Sequence, residues 1–499
     1  MARIVEEDII CWKRALSRLL RDEHIPSWQF SPETMSVPRL MGWCTRRGRL
    51  SSYSRRGDTV ILNRRNLALV PPPNTFKVFY NDNIECFSSE SSSVRMLPGG
   101  RFVLGLFFSN KLCPAWAACI WDCRGAADGS LLQPIVWYSA PPTKKPGPPI
   151  RRFKHVLPGV VAYDKQDDSF IIIVELAYQH GTNSTFVVLK LNNSPGSSAP
   201  ALYRVRDIDF PWNRSPFDTH RHHRGVQVIG DHMLIRTAQQ HVTPVINWRT
   251  GEVLLDRLGP SFGGALWYFA QQLLGPDGRV YHVQDDLRIA ERVLRLTFSP
   301  LEPVGGYSGT LENPRPLSPS LQSRYSLDLP LPLKYDADAQ DGQVLVAMTT
   351  PVPCGNGILF SLYLYCPIRV SHRRFSILLP NSCGRPQILE DGTVCQCSKD
   401  PCVCYIINET MVTWYYDTHA LEAPADDLDS LHSMKMIIAR THERVPNDIE
   451  IFATSTYDGR CQPHLKPQSL GFCPRSGTWL FLQECSEPSP NIRISFFEV

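Results

Sequence analysis

The chain is 499 residues long with 43% hydrophobic and 20% charged side chains, the balance of an ordinary globular protein with a large core. A formal net charge of +4 is too mild to demand nucleic acid as a partner, and no apolar run is long enough to cross a bilayer as a helix. Sixteen cysteines, behind an opening Met1 to Asp8 that carries acids rather than a basic and then apolar leader, predict reduced thiols in a cytosolic or nuclear protein.

From the start of the chain, Ile9, Trp12, Leu16, Leu19 and Leu20 fall three to four apart with Lys13, Arg14, Arg18 and Arg21 between them, which predicts an amphipathic helix with a basic outer face. His24-Ile25-Pro26 ends it, because proline restricts the residue before it and lacks an N–H. A second short helix is expected from Pro32 to Trp43. Arg46, Arg47, Arg49, Arg55, Arg56, Arg64 and Arg65 follow among Ser and Gly and read as a solvated basic linker, since only Tyr53 supplies an aromatic for nucleic-acid stacking. These features place a helical segment and linker at residues 1–58 and a second domain at 59–499.

After Val60 the period switches to two, as in Thr75-Phe76-Lys77-Val78-Phe79-Tyr80, and predicts strands to the end of the chain. A cassette recurs: a Gly/Asp turn, an alternating strand, then a second strand ending in an aromatic residue. Leu97-Pro98-Gly99-Gly100 leads into Phe102-Val103-Leu104 and closes at Ile120-Trp121-Asp122, and Ile229-Gly230-Asp231 leads into Met233-Leu234-Ile235 and closes at Val245-Ile246-Asn247-Trp248. Further turns are expected at Pro276-Asp277-Gly278, Asp341-Gly342 and Glu390-Asp391-Gly392, the last closing at Val412-Thr413-Trp414. Additional strands are expected at Ser169 to Glu175, Thr185 to Lys190, Ile449 to Ala453 and Ile492 to Phe497. Inserts fall near 139–152, where Pro141 to Pro149 must be an extended loop, near 303–332, rich in Pro, Ser and Gly and expected to be mobile, and near 419–431, where Glu422 to Asp429 is acidic. At roughly 40–50 residues per four-stranded sheet the chain has room for about six to eight blades. The expected fold class is therefore mainly β, a β-propeller-like repeat behind a short α-helical N-terminal segment, rather than a stack of β-sandwiches.

Three constellations bear on chemistry. Cys395, Cys397, Cys402 and Cys404 would converge like a zinc site if their strands formed a hairpin, but single-residue spacing within each pair favours packing of small apolar side chains, so no metal is assigned. Gly259-Pro260-Ser261-Phe262-Gly263 has the form of a hydrolase nucleophile elbow, yet the repeats around it read as antiparallel and an elbow needs a parallel sheet. Asp218-Thr219-His220-Arg221-His222-His223-Arg224 could hold a metal or sense pH, and reads more simply as a solvated loop. No phosphate-binding lysine loop or dinucleotide glycine fingerprint appears. The sequence thus implies no cofactor and no catalytic residue. An enzyme with a metal- or nucleophile-based site at the propeller face is the alternative, and no regular series of acids or histidines marks one.

Cys11-Trp12-Lys13-Arg14-Ala15-Leu16, Leu19-Leu20-Arg21-Asp22, Ile25-Pro26-Ser27-Trp28 and Ser36-Val37-Pro38-Arg39-Leu40, leading into a long β-repeat region, resemble the part just after the F-box in large F-box proteins of mushroom-forming fungi. The resemblance implies docking to the Skp adaptor of a cullin ubiquitin ligase, with the repeats holding a protein target. The Leu-Pro-rich F-box segment that precedes such a helix is not in the sequence, which implies a chain that begins within or after the F-box, and no adaptor-contact residue is carried over. The expected role is a monomeric, non-enzymatic protein-interaction module. Its candidate partner-binding residues are Trp12, Leu16 and Leu19 on the helix and Trp212, His220, His222, Trp267 and Tyr268 on loops.

Overall fold

The structure is a computed structural model. It describes residues 8–22, 25–30, 32–45, 63–70, 94–109, 115–139, 153–178, 183–193, 200–211, 226–235, 243–256, 272–274, 280–288, 293–303, 315–319, 325–330, 345–348, 352–354, 357–366, 371–380, 385–396, 403–407, 410–416, 433–440, 449–454, 468–473, 478–482 and 492–498. The fold is mainly β with helices at the N-terminus, as the periodicity predicts. By its contacts the chain divides into two compact units, one of Met1–Ser52, Val60–Thr219 and Tyr457–Val499, the other of Tyr53–Thr59 and His220–Thr456.

The repeat is blade-like: four antiparallel strands, each next to its predecessor, then the following sheet. In the first unit the chain builds one sheet from Val94–Met96, Phe102–Ser109, Ala115–Asp122 and Val136–Ser139, and the next from Phe153–Asp164, Ser169–Tyr178, Asn183–Asn192 and Ala201–Pro211. A third sheet joins the first described strand of the chain to the last. Gln468–Cys473, Thr478–Leu482 and Ile492–Glu498 run in order, and Asn63–Leu69 pairs antiparallel with Ile492–Glu498, from Asn63 opposite Glu498 to Leu69 opposite Ile492. Leu131–Leu132 adds a short parallel edge to Asn63–Leu69.

In the second unit Val226–Ile229, His232–Ile235, Thr243–Asn247 and Val253–Asp256 form one such set, and Gln272–Leu274, Val280–Arg288, Val293–Pro303 and Tyr325–Pro330 another. Arg315–Pro319 fuses these two into one nine-stranded sheet by pairing parallel with Val253–Asp256 and antiparallel with Val293–Pro303. The Pro-rich insert near 303–332 therefore contains two strands, a departure from the mobile loop expected there. Within this short strand Pro316 stands opposite Leu255 and Pro319 opposite Leu301. Gly357–Cys366, Ser371–Pro380 and Gln387–Gln396 follow, with Leu345–Met348 and Val352–Cys354 both pairing Gly357–Cys366. Val403–Ile407, Thr410–Tyr416, Ser433–Arg440 and Ile449–Thr454 complete the second unit. Among the described residues there are six sheets, three of four strands, two of five and one of nine; counting the nine-stranded sheet as two gives seven sets of at least four strands, inside the expected six to eight.

Glu390-Asp391-Gly392 is not a turn. It lies inside Gln387–Gln396, with Asp391 opposite Phe375 and Gly392 opposite Arg374, and two register irregularities in this pairing absorb the polar residues that looked like a break. Thr75 to Tyr80, Pro276 to Gly278, Asp341-Gly342, and the inserts near 139–152 and 419–431 lie outside the described residues, apart from Ser139 at the end of a strand.

The central strands of the first unit are apolar on both faces, which is why they read as nearly continuous hydrophobic runs. Along Phe102–Ser109, Val103 and Phe107 enter one core with Leu67, Leu69, Leu480, Ile492 and Ile494, while Phe102, Leu104 and Leu106 enter another with Phe170, Ile172, Val174 and Leu189. The neighbouring strand alternates likewise, Cys119 and Trp121 to the first core and Ala118 and Ile120 to the second. Within this unit the middle sheet is therefore packed between the other two, as a blade is. The second unit has a comparable core of Leu234, Val245, Tyr281, Phe298, Phe360 and Phe375.

The cassette closure is a hydrogen-bonded device. Trp248 is buried, its backbone N–H donates to Asp231 O at 2.9 Å and its indole N–H to Gly230 O at 3.0 Å, so the strand-closing aromatic is tied to the turn that opened the cassette. Arg249 pairs with Asp231 at 2.6 Å and lies over the Trp248 ring at 4.3 Å. Asn247 accepts from the N–H groups of Arg249 and Thr250 at 3.0 Å, and Asp122 accepts from Arg124 N–H at 3.0 Å at the end of its own strand. A short acceptor side chain at the strand end satisfies the turn's donors, which explains the Asn or Asp at both closures.

Candidate protein interface

The N-terminal segment is built around its own small core. The helix α1 spans Ile9–Asp22, a 3-10 turn follows at Ser27–Gln29, a second at Pro32–Thr34, and residues 37–45 are helical. The single helix expected over Pro32 to Trp43 is thus a 3-10 turn followed by a helix, with Ser36 O accepting from Arg39 and Leu40 N–H at 3.0 Å where the second part begins. Leu16 and Leu20, four residues apart, meet Ile25, Phe30, Met35 and Leu40. Asp8 caps α1: its carboxylate accepts from Ile10 N–H at 2.9 Å and Cys11 N–H at 3.3 Å. The Cys11 thiol and these N–H groups hold its pKa below the usual carboxylate value.

The outward face of α1 is basic as predicted. Lys13, Arg14, Ser17, Arg18 and Arg21, with Glu33 across from them, line an open cleft of about 490 Å³, and Lys13 forms an ion pair with Glu33. Ile9 and Ile10 are exposed at its N-terminal end. Of the residues expected to meet a partner, Leu16 is fully buried in the segment's own core, while Trp12 and Leu19 pack against that core and remain partly exposed. Trp212, His220, His222, Trp267 and Tyr268 lie outside the described residues, as does Ser261.

What fixes this segment to the sheets is a two-point dock that the sequence did not announce. At the first point Asp168, in the turn between Phe153–Asp164 and Ser169–Tyr178, accepts from Ser27 N–H through both carboxylate oxygens at 3.1 Å and from the Ser27 hydroxyl. Its backbone carbonyl accepts from the Trp28 indole N–H at 2.8 Å, and the Tyr163 hydroxyl donates to its carboxylate at 2.9 Å. Burial, then the bond to Asp168, hold the Tyr163 hydroxyl well above the usual phenol range, so it stays a donor. Asp168 sits at φ 47°, a left-handed conformation that Asp tolerates better than most residues. The Trp28 ring then packs on Phe102 and Phe170 with centroids 5.8 and 6.3 Å away.

At the second point the Gln29 side chain, completely buried, donates to Pro98 O at 3.0 Å, and Arg101 donates to Gln29 O while pairing with Asp122 at 2.6 Å. Gly99 is required here. It has φ +93°, and a Cβ would stand 2.6 Å from Gln29 Oε1 and 3.2 Å from Ile25 Cγ2. Gly99→Ala is therefore expected to loosen the dock by about 2 kcal/mol, the sum of left-handed strain and a disturbed buried amide. Hydrogen exchange at Gln29 and Phe30 would read it. Gly125→Ala, at φ +71° with nothing near its Cβ, should cost only about 1 kcal/mol and leave those amides unchanged.

The two described cysteines of the 395–404 group lie in different sheets. Cys395 lies in Gln387–Gln396, which pairs with Ser371–Pro380, and Cys404 lies in Val403–Ile407, which pairs with Thr410–Tyr416 in a different sheet; Cys397 and Cys402 are outside the described residues. The strand before Ser261, Val253–Asp256, is antiparallel to Thr243–Asn247 on one edge and takes only a short parallel partner on the other.

No protein-family model matches the chain, and no curated protein matches it. Among solved structures it is similar to the N-terminal domain of Nup159, at 8% identity and a TM-score of 0.27 over 83% of this chain and 90% of that one. It is also similar to the S. cerevisiae core factor, at 8% identity and a TM-score of 0.21 over 88% of this chain and 62% of that one. At such scores the blade-like reading rests on the strand pairing of this chain itself. No described helix is long and apolar enough to cross a membrane.

Proposed function

We propose that the chain is a non-enzymatic protein-interaction module, the target-recognition subunit of a cullin-type ubiquitin ligase. The observation that supports this reading is the two-point dock. Ser27 and Trp28 on Asp168, and Gln29 on Pro98 and Arg101, fix α1 relative to the sheets of the first unit. A scaffold that must hold a target at a set distance from an adaptor needs such a rigid joint, and its sheets present turns that vary without disturbing the core. The adaptor would meet the exposed edge of α1 at Trp12 and Leu19, beside the basic cleft. The protein would act as a monomer in the cytoplasm or nucleus.

Affinity purification of the tagged chain, scored for the Skp adaptor and the cullin, tests the proposal. Both are expected in the eluate, and Trp12→Ala with Leu19→Ala should lower their yield at least tenfold, the usual effect of removing interface anchors. An eluate lacking both proteins from the unmodified chain overturns the ligase reading.

A further inference from the structure

We propose that Ser27 is a phosphorylation site and that a phosphate on it releases the N-terminal segment from the sheets. Ser27 is exposed, between the buried Pro26 and the docked Trp28, and its hydroxyl is spent on the Asp168 carboxylate. The turn it faces is acidic. Asp164 and Asp167 share Lys190, whose amine is 3.5 Å from Asp164, and Asp168 accepts from neutral donors, the Ser27 hydroxyl and backbone N–H and the Tyr163 hydroxyl. The cations near this turn are Lys165, exposed within the turn itself, Lys190, engaged by those two carboxylates, and Arg21 of α1, which acts on Tyr163; against them stand the three carboxylates of Asp164, Asp167 and Asp168. Arg101 is engaged at Asp122 and Gln29.

A protein kinase would transfer the γ-phosphoryl group of ATP to Ser27 Oγ. The O–H bond breaks and its proton passes to the kinase's base, an O–P bond forms, and ADP leaves. The product carries a charge of about −1.5 to −2 near neutral pH and can no longer donate. A group that donated to a carboxylate thus becomes a dianion beside that same carboxylate, in contact range and with Asp164 and Asp167 behind it. Like charges at that separation repel strongly in a partly desolvated setting. The neighbouring Ser27 N–H and Trp28 indole bonds depend on the same residue staying in place, so the first docking point fails as a unit. The left-handed Asp168 is a held backbone conformation of the sort found where a contact is built for a purpose.

The test uses the full chain with phosphoserine installed at position 27. Hydrogen exchange at Gln29 and Phe30 is expected to rise at least tenfold over the unmodified chain, with amides of Ser169–Tyr178 unchanged, and phosphatase treatment should reverse it. Ser27→Ala, which removes only one hydroxyl donor, should raise exchange about threefold or less. In an Asp168→Asn background the phosphate should have less than half its effect, because the opposing charge is gone. Exchange that stays level or slows, as it would if Arg21 or Lys165 captured the phosphate, overturns the proposal, and so does an undiminished effect in Asp168→Asn. Mass spectrometry of the chain isolated from its own cells should find phosphate on Ser27 in part of the molecules; finding none, with phosphatases inhibited, overturns its assignment as a modification site. Neither readout depends on the Skp adaptor, so failure here leaves the ligase reading standing, and the converse.

Discussion

Trp121→Ala is expected to destabilise the first unit by about 3–5 kcal/mol, the range for truncating a fully buried aromatic residue. Trp121 has no exposed surface, packs beside Phe107 at 5.9 Å, and donates its indole N–H to Val70 O at 3.1 Å. The strand opposite leaves it room through Gly105, where a Cβ would lie 2.6 Å from the ring. Removing the ring therefore opens a cavity and strands a backbone acceptor. Urea unfolding followed by circular dichroism should show a lower midpoint with an unchanged slope. Gly105→Ala alone should also destabilise, because the methyl enters the space of the ring. In the Trp121→Ala background the same methyl should cost far less, and a non-additivity of at least 1 kcal/mol is the signature of direct contact. Additive losses would mean that the ring and the glycine do not share this space.

Asp168→Ala is expected to undock the N-terminal segment while leaving the sheets folded. The substitution removes the acceptor for Ser27 N–H, the Ser27 hydroxyl and the Tyr163 hydroxyl, and places alanine at φ 47°. Hydrogen bonds to a charged group contribute about 1.5–3 kcal/mol each when shielded; with partial exposure here, a total near 3 kcal/mol is the reasonable magnitude. Exchange at Ser27 to Phe30 should rise about a hundredfold, and Trp28 emission should shift to the red as its ring leaves Phe102 and Phe170. Asp168→Asn keeps the turn conformation and one acceptor oxygen, so its effect should be roughly half. Global unfolding of Asp168→Ala would show that the segment is part of the core rather than docked on it.

Much of the fold is legible in the sequence because the central strands of the first unit bury both faces. Phe170 to Val174 shows this plainly: a run of apolar residues too short for a buried helix, bounded by Asp168-Ser169, is a central strand on length alone. Trp248 could likewise be placed at a cassette closure, since Asn247 and Gly251 signal the turn that follows it. The misreadings share one cause. Glu390-Asp391-Gly392 has the composition of a turn, and Arg315–Pro319 that of a loop, but ladder pairing to Ser371–Pro380 and Val293–Pro303 overrides local preference. The dock was illegible for a different reason. Ser27 and Asp168 are each unremarkable, and only the folded chain brings residues 141 positions apart into contact. The spacing of Leu16 identified α1 correctly but could not say that the helix would bury that residue against Ile25 and Phe30 rather than offer it to a partner.

The pairing of Asn63–Leu69 with Ile492–Glu498 sets the tempo at which this protein can form. Emerging from the ribosome, residue 63 must wait for residue 498, and until then the inner edge of its strand is an open template with a row of unsatisfied amides. Closing so long a loop costs little in equilibrium stability, because the entropy grows only with the logarithm of length, but it postpones the step that seals the sheet. Nascent chains should consequently need shielding by chaperones until residue 498 has emerged, and any lesion that clips Ile492–Glu498 would leave Asn63–Leu69 without its antiparallel partner.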